Sequence, residues 1–148
     1  MRLTKQTNYA IRIAMYCAAN PAPLSQVRDI AASYGVSELF LFKIMKVLVD
    51  AGIVETVRGR YGGLRLAKPA EEITLYDIVR ATEDSFSMAE CFDDGGDADC
   101  PLIDACRLNA TLRKALNAFF EQLAAVSVAD LVVNRQFVRN QLGLAEAI

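Results

Sequence analysis

The chain has 148 residues, 53% of them apolar and 23% charged, with four prolines; this excludes a disordered or low-complexity protein and suits one ordinary domain, or a small domain with an assembly element. The net charge of −2 hides an uneven split: residues 1–68 carry ten Lys/Arg against four Asp/Glu, whereas residues 69–148 carry six against fourteen. A basic front half suits a polyanion and an acidic rear half suits a metal or solvent. Arg12 interrupts the apolar stretch near the N-terminus, and no segment reaches the roughly 20 apolar residues of a membrane span, so a secretory signal and a membrane role are unsupported and a cytoplasmic protein is expected.

Over residues 4–19, Ala10, Ile13, Ala14 and Cys17 recur on one helical face, with Cys17 read as a small core residue. A first helix is predicted there, ending near Asn20 and Pro21. A short second helix is expected to open at Leu24 or Ser25 and run through Ser33, with Val27, Ile30 and Ala31 inward and Gly35 as its stop. Ser37 is a suitable N-cap for a third helix reaching Asp50, on which Leu41, Ile44 and Leu48 share a face, and Gly52 stops it. Ala31 permits close approach of two helices and Gly35 lets the chain reverse, the requirements of a helix-turn-helix.

The β-branched run from Ile53 to Val57, then Arg58-Gly59-Arg60-Tyr61-Gly62-Gly63, then Leu64-Arg65-Leu66, predicts a two-stranded wing with a glycine-rich, cationic tip. Thr74 with Asp77 resembles a capping box opening a short helix that carries Leu75, Ile78 and Val79. Residues 85–106 read as a loop, and its acidic run from Asp93 to Asp99 lacks the alternation of a calcium loop and is expected to be solvated. From Leu108 to Ala125 a helix returns whose stripe of Leu108, Leu112, Leu116, Phe119, Phe120 and Leu123 is wide enough to want two neighbours, one of them a symmetry mate. Ser127 caps a last helical segment at 128–133, and residues beyond Gly143 are expected to fray.

The expected fold is mainly α: a winged helix-turn-helix DNA-binding domain at 1–68, a linker helix and cysteine-rich loop at 69–106, and a long dimerisation helix with a C-terminal segment at 107–148. Its partner is double-stranded operator DNA, read as a homodimer. Ser37, Glu38 and Phe40 in the first turn of the third helix would lie nearest base edges, and Lys43 and Lys46 would reach phosphates. Arg58 and Arg60, with Gly59, Tyr61, Gly62 and Gly63, suit a narrow minor groove, while Arg2, Thr4 and Lys5 clamp the backbone.

Cys91, Cys100 and Cys106 fall within 16 residues as Cys-x8-Cys-x5-Cys. In a reducing compartment such thiols are ligands rather than disulfides, and thiolates suit an iron–sulfur cluster. Zinc is weakly supported, because no close Cys pair, no histidine and no nearby fourth cysteine is present. A cluster-free thiol or disulfide redox switch remains the alternative. An iron–sulfur enzyme or assembly protein is remote, since the chain offers no histidine, no nucleotide-binding glycine loop and no acid–base pair.

The stretches MRLTKQTNYA, YGVSELFLFKIM, VETVRGRYGG, TEDSFSMAECF and CPLIDACRLN resemble the family of iron–sulfur winged-helix regulators that includes IscR, NsrR and RirA, with the rhizobial, RirA-type iron regulators the most similar. The resemblance spans nearly the whole chain and weakens after about residue 133. It implies a homodimer with crossing C-terminal helices and a cluster, of 4Fe-4S type and convertible to 2Fe-2S, on Cys91, Cys100 and Cys106. It also implies a repressor that holds its operator while the cluster is loaded and releases it under low iron or oxygen stress. The chain departs from the family at the fourth ligand: IscR-like members use a histidine, which is absent here, and NsrR-like members an aspartate where this chain has Asn8.

Overall fold

The computed structural model describes residues 2–92 and 100–144. Helix α1 spans Lys5–Ala19, α2 Val27–Tyr34 and α3 Glu38–Asp50; strands β1, Val54–Val57, and β2, Gly63–Leu66, form the wing. Helices α4, Leu75–Thr82, α5, Arg107–Ala124, α6, Val128–Leu131, and α7, Arg135–Gln141, complete a mainly helical molecule with one two-stranded sheet.

Helix α1 is the central element, because its small residues let neighbours approach on several sides. Ala10, Ile13, Ala14 and Ala19 are fully buried, and Leu41, Ile44 and Leu48 of α3 pack into the same core with Ile30, Val54, Leu64, Ile78 and Val128. Each such Leu or Ile stabilises the fold by about 1.5–3 kcal/mol relative to an exposed position. The local signals act as expected at several ends. Ser37 accepts a hydrogen bond from the Phe40 N–H at 3.2 Å, Gly35 closes α2 at φ +64°, and Thr74 with Asp77 forms a full capping box.

The start of α2 differs from the expectation at Leu24 or Ser25. Ser25 pairs with Leu64 of β2, its N–H donating to the Leu64 carbonyl at 3.0 Å and its carbonyl accepting from Leu64 N–H at 2.8 Å. Its backbone is therefore extended, and the helix begins at Val27 without a side-chain cap. Val54 faces Leu66 and Val57 faces Gly63 across the antiparallel strands, so the wing is a hairpin hung from the helix-turn-helix through Ser25.

The C-terminal segment returns to α1. A second capping box, Ser127 with Asp130, starts α6 beside Thr74, and Val128 donates to the Ile73 carbonyl at 2.8 Å. The separate helix α7 does not follow from the sequence pattern. It is held where Arg139, 7% exposed, donates to the Ala19 carbonyl at 3.0 Å and the Asn20 Oδ1 at 3.2 Å at the end of α1. Leu144, expected to fray, is half-buried and bonded to the Arg139 carbonyl; residues 145–148 and the acidic run 93–99 lie outside the described residues. Among the described residues no helix is long and apolar enough to cross a membrane.

Candidate nucleic-acid interface and cysteine loop

The first turn of α3, the wing tip and the first turn of α1 carry the residues expected to meet DNA. Ser37, Glu38 and Lys43 are exposed, whereas Phe40 is half-buried with its ring edge-on to Tyr9 at 5.3 Å. The Lys5 ammonium lies 5.1 Å from the Phe40 ring, so both residues join α3 to α1. On the same helix Leu39 and Phe42 are 70% and 51% exposed. Both stand outside the Leu41–Ile44–Leu48 stripe, and that offset was the available signal. Lys46 is paired with Asp50 at 3.1 Å in solvent, worth about 0.3–0.5 kcal/mol.

At the wing, Arg58, Gly59, Arg60 and Tyr61 are exposed, with the Arg60 guanidinium 5.8 Å from the Tyr61 ring. Gly59 has φ +107°, a conformation that side chains oppose. Gly62 and Gly63 meet a different demand: a Cβ would come within 2.1 Å of the Val57 carbonyl oxygen at the first and 2.7 Å of the Ser25 carbonyl oxygen at the second. Gln26 Nε2 donates to the Gly62 carbonyl at 2.6 Å and fixes the tip against the start of α2. Arg2 is exposed, while Thr4 caps α1 and is bonded to Glu83.

In the rear half, Cys91 lies in a single 3-10 turn, Glu90–Phe92, and Cys106 caps α5 with its sulfur accepting from the Asn109 N–H at 3.4 Å. The Asn109 side chain reaches back and donates from Nδ2 to Cys91 Sγ at 3.0 Å. One residue thus gathers two of the three sulfurs at a helix N-terminus, where negative charge is favoured. Cys100 follows the undescribed stretch, and among the described residues no three Cys, Asp or Glu side chains converge to hold a metal. All three thiols are free and half-buried, and soft sulfur donors are the set that an iron–sulfur cluster takes, so the residues present fit such a group. Cys17 is buried in the core, and burial pushes its thiol up to about 12.

Helix α5 leans on α4 through Phe120, whose ring meets Tyr76 at 5.3 Å and Phe86 at 4.8 Å. No residue of α5 is fully buried. Leu108, Thr111, Ala115, Ala118 and Gln122, spaced three and four apart, are all exposed on one side.

A helix-turn-helix with a glycine-rich wing and a long trailing helix defines a winged-helix transcriptional regulator. The Rrf2 family model, described as an iron-dependent transcriptional regulator, matches residues 3–134, and the chain belongs to this family. It is 63% identical to Protein aau3 of Rhizobium meliloti over 148 residues, all of this chain and 96% of the relative. It is 41% identical to the HTH-type transcriptional regulator NsrR of Geobacillus kaustophilus over 143 residues, 96% of this chain and 97% of the relative. The structure of CymR, the global cysteine regulator of B. subtilis, superposes with a TM-score of 0.71 at 25% identity, covering 90% of this chain and 98% of that one. The chain is a regulator and not an enzyme.

Proposed function

We propose that this regulator is an iron-responsive, cytoplasmic repressor that binds operator DNA as a homodimer while an iron–sulfur cluster joins Cys91, Cys100 and Cys106. The observation that carries the reading is the meeting of the Cys91 and Cys106 sulfurs on Asn109 at the start of α5. Cys91, Cys100 and Cys106 would hold a 4Fe-4S cluster, which would supply a link among three thiolates that is sensitive to low iron or oxygen stress. Joining the sulfurs would draw Cys91 and Cys100 toward Cys106 at the start of α5; with the sulfurs free, Asn109 bonds both Cys91 and Cys106. The altered loop shifts α4 and α5 against α1, and the two α3 helices lose the spacing that a palindromic operator requires. The DNA contacts assigned to Arg2, Thr4, Lys5, Ser37, Glu38, Phe40, Lys43 and the wing from Arg58 to Gly63 belong to this proposal.

The three free thiols also favour a second reading, a cluster-free repressor whose cysteines are oxidised directly. Native mass spectrometry of anaerobically purified protein, with operator binding measured before and after iron chelation, separates the two. The cluster reading expects iron and sulfide in the dimer and weaker operator binding on their removal. A protein free of iron and sulfide that nevertheless loses DNA on thiol oxidation sinks it in favour of the second.

A further inference from the structure

We propose that Asn109 is a positioning residue for the cysteine loop, tying Cys91 to Cys106 and donating hydrogen bonds to both sulfurs in the loaded protein. The inference rests on the cluster reading above and names a determinant of how firmly that group is held. Asn109 is the third residue of α5, so its backbone N–H is one of the donors that a helix leaves unpaired at its start. A serine or aspartate oxygen usually takes that donor; here the acceptor is the Cys106 sulfur at 3.4 Å.

The side chain then spans to Cys91, with Nδ2 at 3.0 Å from the sulfur and 3.5 Å from the carbonyl oxygen. An amide is useful there only if its nitrogen, not its oxygen, faces the sulfur. Arg113, one turn along α5, sets that orientation by donating from Nε to Asn109 Oδ1 at 2.8 Å. The Arg113 guanidinium rests 4.7 Å from the ring of Phe92, the neighbour of Cys91, which closes a circuit through both ends of the loop.

The residue type fits this role better than a plain helix start. A carboxylate is the favoured side chain in a first turn, but it would turn an acceptor toward anionic sulfur. The neutral amide keeps a donor there, and donors to ligating sulfurs set the reduction potential and the retention of an iron–sulfur group.

The test uses full-length protein prepared anaerobically as wild type, Asn109→Ala, Asn109→Asp and Arg113→Ala, with folding checked by circular dichroism. The proposal expects Asn109→Ala to lower the midpoint potential and to release iron to a chelator on the order of 10-fold faster, Asn109→Asp to do so more strongly and Arg113→Ala more weakly. Wild-type values in a folded Asn109→Ala that still binds iron would overturn it. A second readout uses cluster-free protein: the Asn109 side-chain amide resonances should shift on Cys91→Ala and stay in place on Cys100→Ala. Indifference to Cys91→Ala overturns the proposal, including in the case where the Asn109 variants fail to fold. A wild type without iron and sulfide sinks the cluster reading instead, and the resonance experiment still decides whether Asn109 holds the loop.

Discussion

Glu83 Oε1 accepts two hydrogen bonds from Thr4, one from its backbone N–H at 2.7 Å and one from its hydroxyl at 3.1 Å. Thr4 is the N-cap of α1, and Glu83 ends α4 just before the segment that leads to the cysteines. One turn further in, the Thr7 and Thr82 hydroxyls meet at 2.8 Å in the core. The basic start of the first helix is thereby fastened to the root of the cysteine loop, and a change at that root has a short path to the residues proposed to meet DNA.

Glu83→Ala removes the shared acceptor and should cost about 1 kcal/mol of stability in urea unfolding, in the range of a lost cap or hydrogen bond. Operator affinity should fall while its dependence on salt stays as in the wild type, because no phosphate contact is deleted. A reduced salt slope would mean that Glu83 acts through charge at the DNA surface and not through Thr4.

The wing separates shape from charge. Gly62→Ala must displace the Val57 carbonyl oxygen, a backbone atom 2.1 Å from the added carbon, and should cost about 1–3 kcal/mol with loss of operator affinity at every salt concentration. Arg58→Ala and Arg60→Ala leave the hairpin intact, and each, present twice in the proposed homodimer, should reduce the slope of log affinity against log salt by about 2. Slopes equal to the wild type would remove these arginines from the DNA contact.

Many of the helix ends are legible because their signals are local: Ser37 and Thr74 are caps whose partners lie three residues away, and Gly35 is a stop whose φ the turn demands. The start of α2 is not legible because Ser25 answers to Leu64, a partner that no local pattern reveals. Helix α7 escaped for a similar reason, since its anchor is Arg139 on the far end of α1. In the rear half the spacing of the cysteines pointed to a ligand set, yet Asn109 reads as an ordinary polar helix residue until Cys91 is seen beside it.

Cys17 gives a pH prediction. Its neutral thiol is favoured in the folded core, where burial holds the pKa up at about 12, so the folded chain keeps a proton that the unfolded chain loses earlier. The stability that this contributes is fully present below the ordinary thiol range and is lost as pH rises through that range toward about 12. Cys17→Ala should flatten the alkaline fall in urea midpoint, at the cost of a small cavity. In cluster-free native protein a thiol reagent should modify Cys91, Cys100 and Cys106 quickly and Cys17 only on unfolding. Rapid modification of Cys17 in folded protein would contradict its place in the core.

The exposed side of α5 gives the cleanest test of assembly. Leu108, Thr111, Ala115 and Ala118 alternate at three and four residues, the repeat of a helix-pairing seam, and the small side chains at its middle would let a second backbone come close. Ala115 is exposed in the single chain, and glutamate is a good helix former, so Ala115→Glu should leave the thermal unfolding of an isolated subunit nearly unchanged. In a symmetric pair the same change places two like charges against each other, in the part of the interface with least room. If the wild type sediments as the proposed dimer, Ala115→Glu should sediment as a monomer, and operator affinity should fall by roughly 100-fold or more as two linked half-site contacts become independent. A dimer that survives Ala115→Glu with full operator affinity would move the interface off this side of α5.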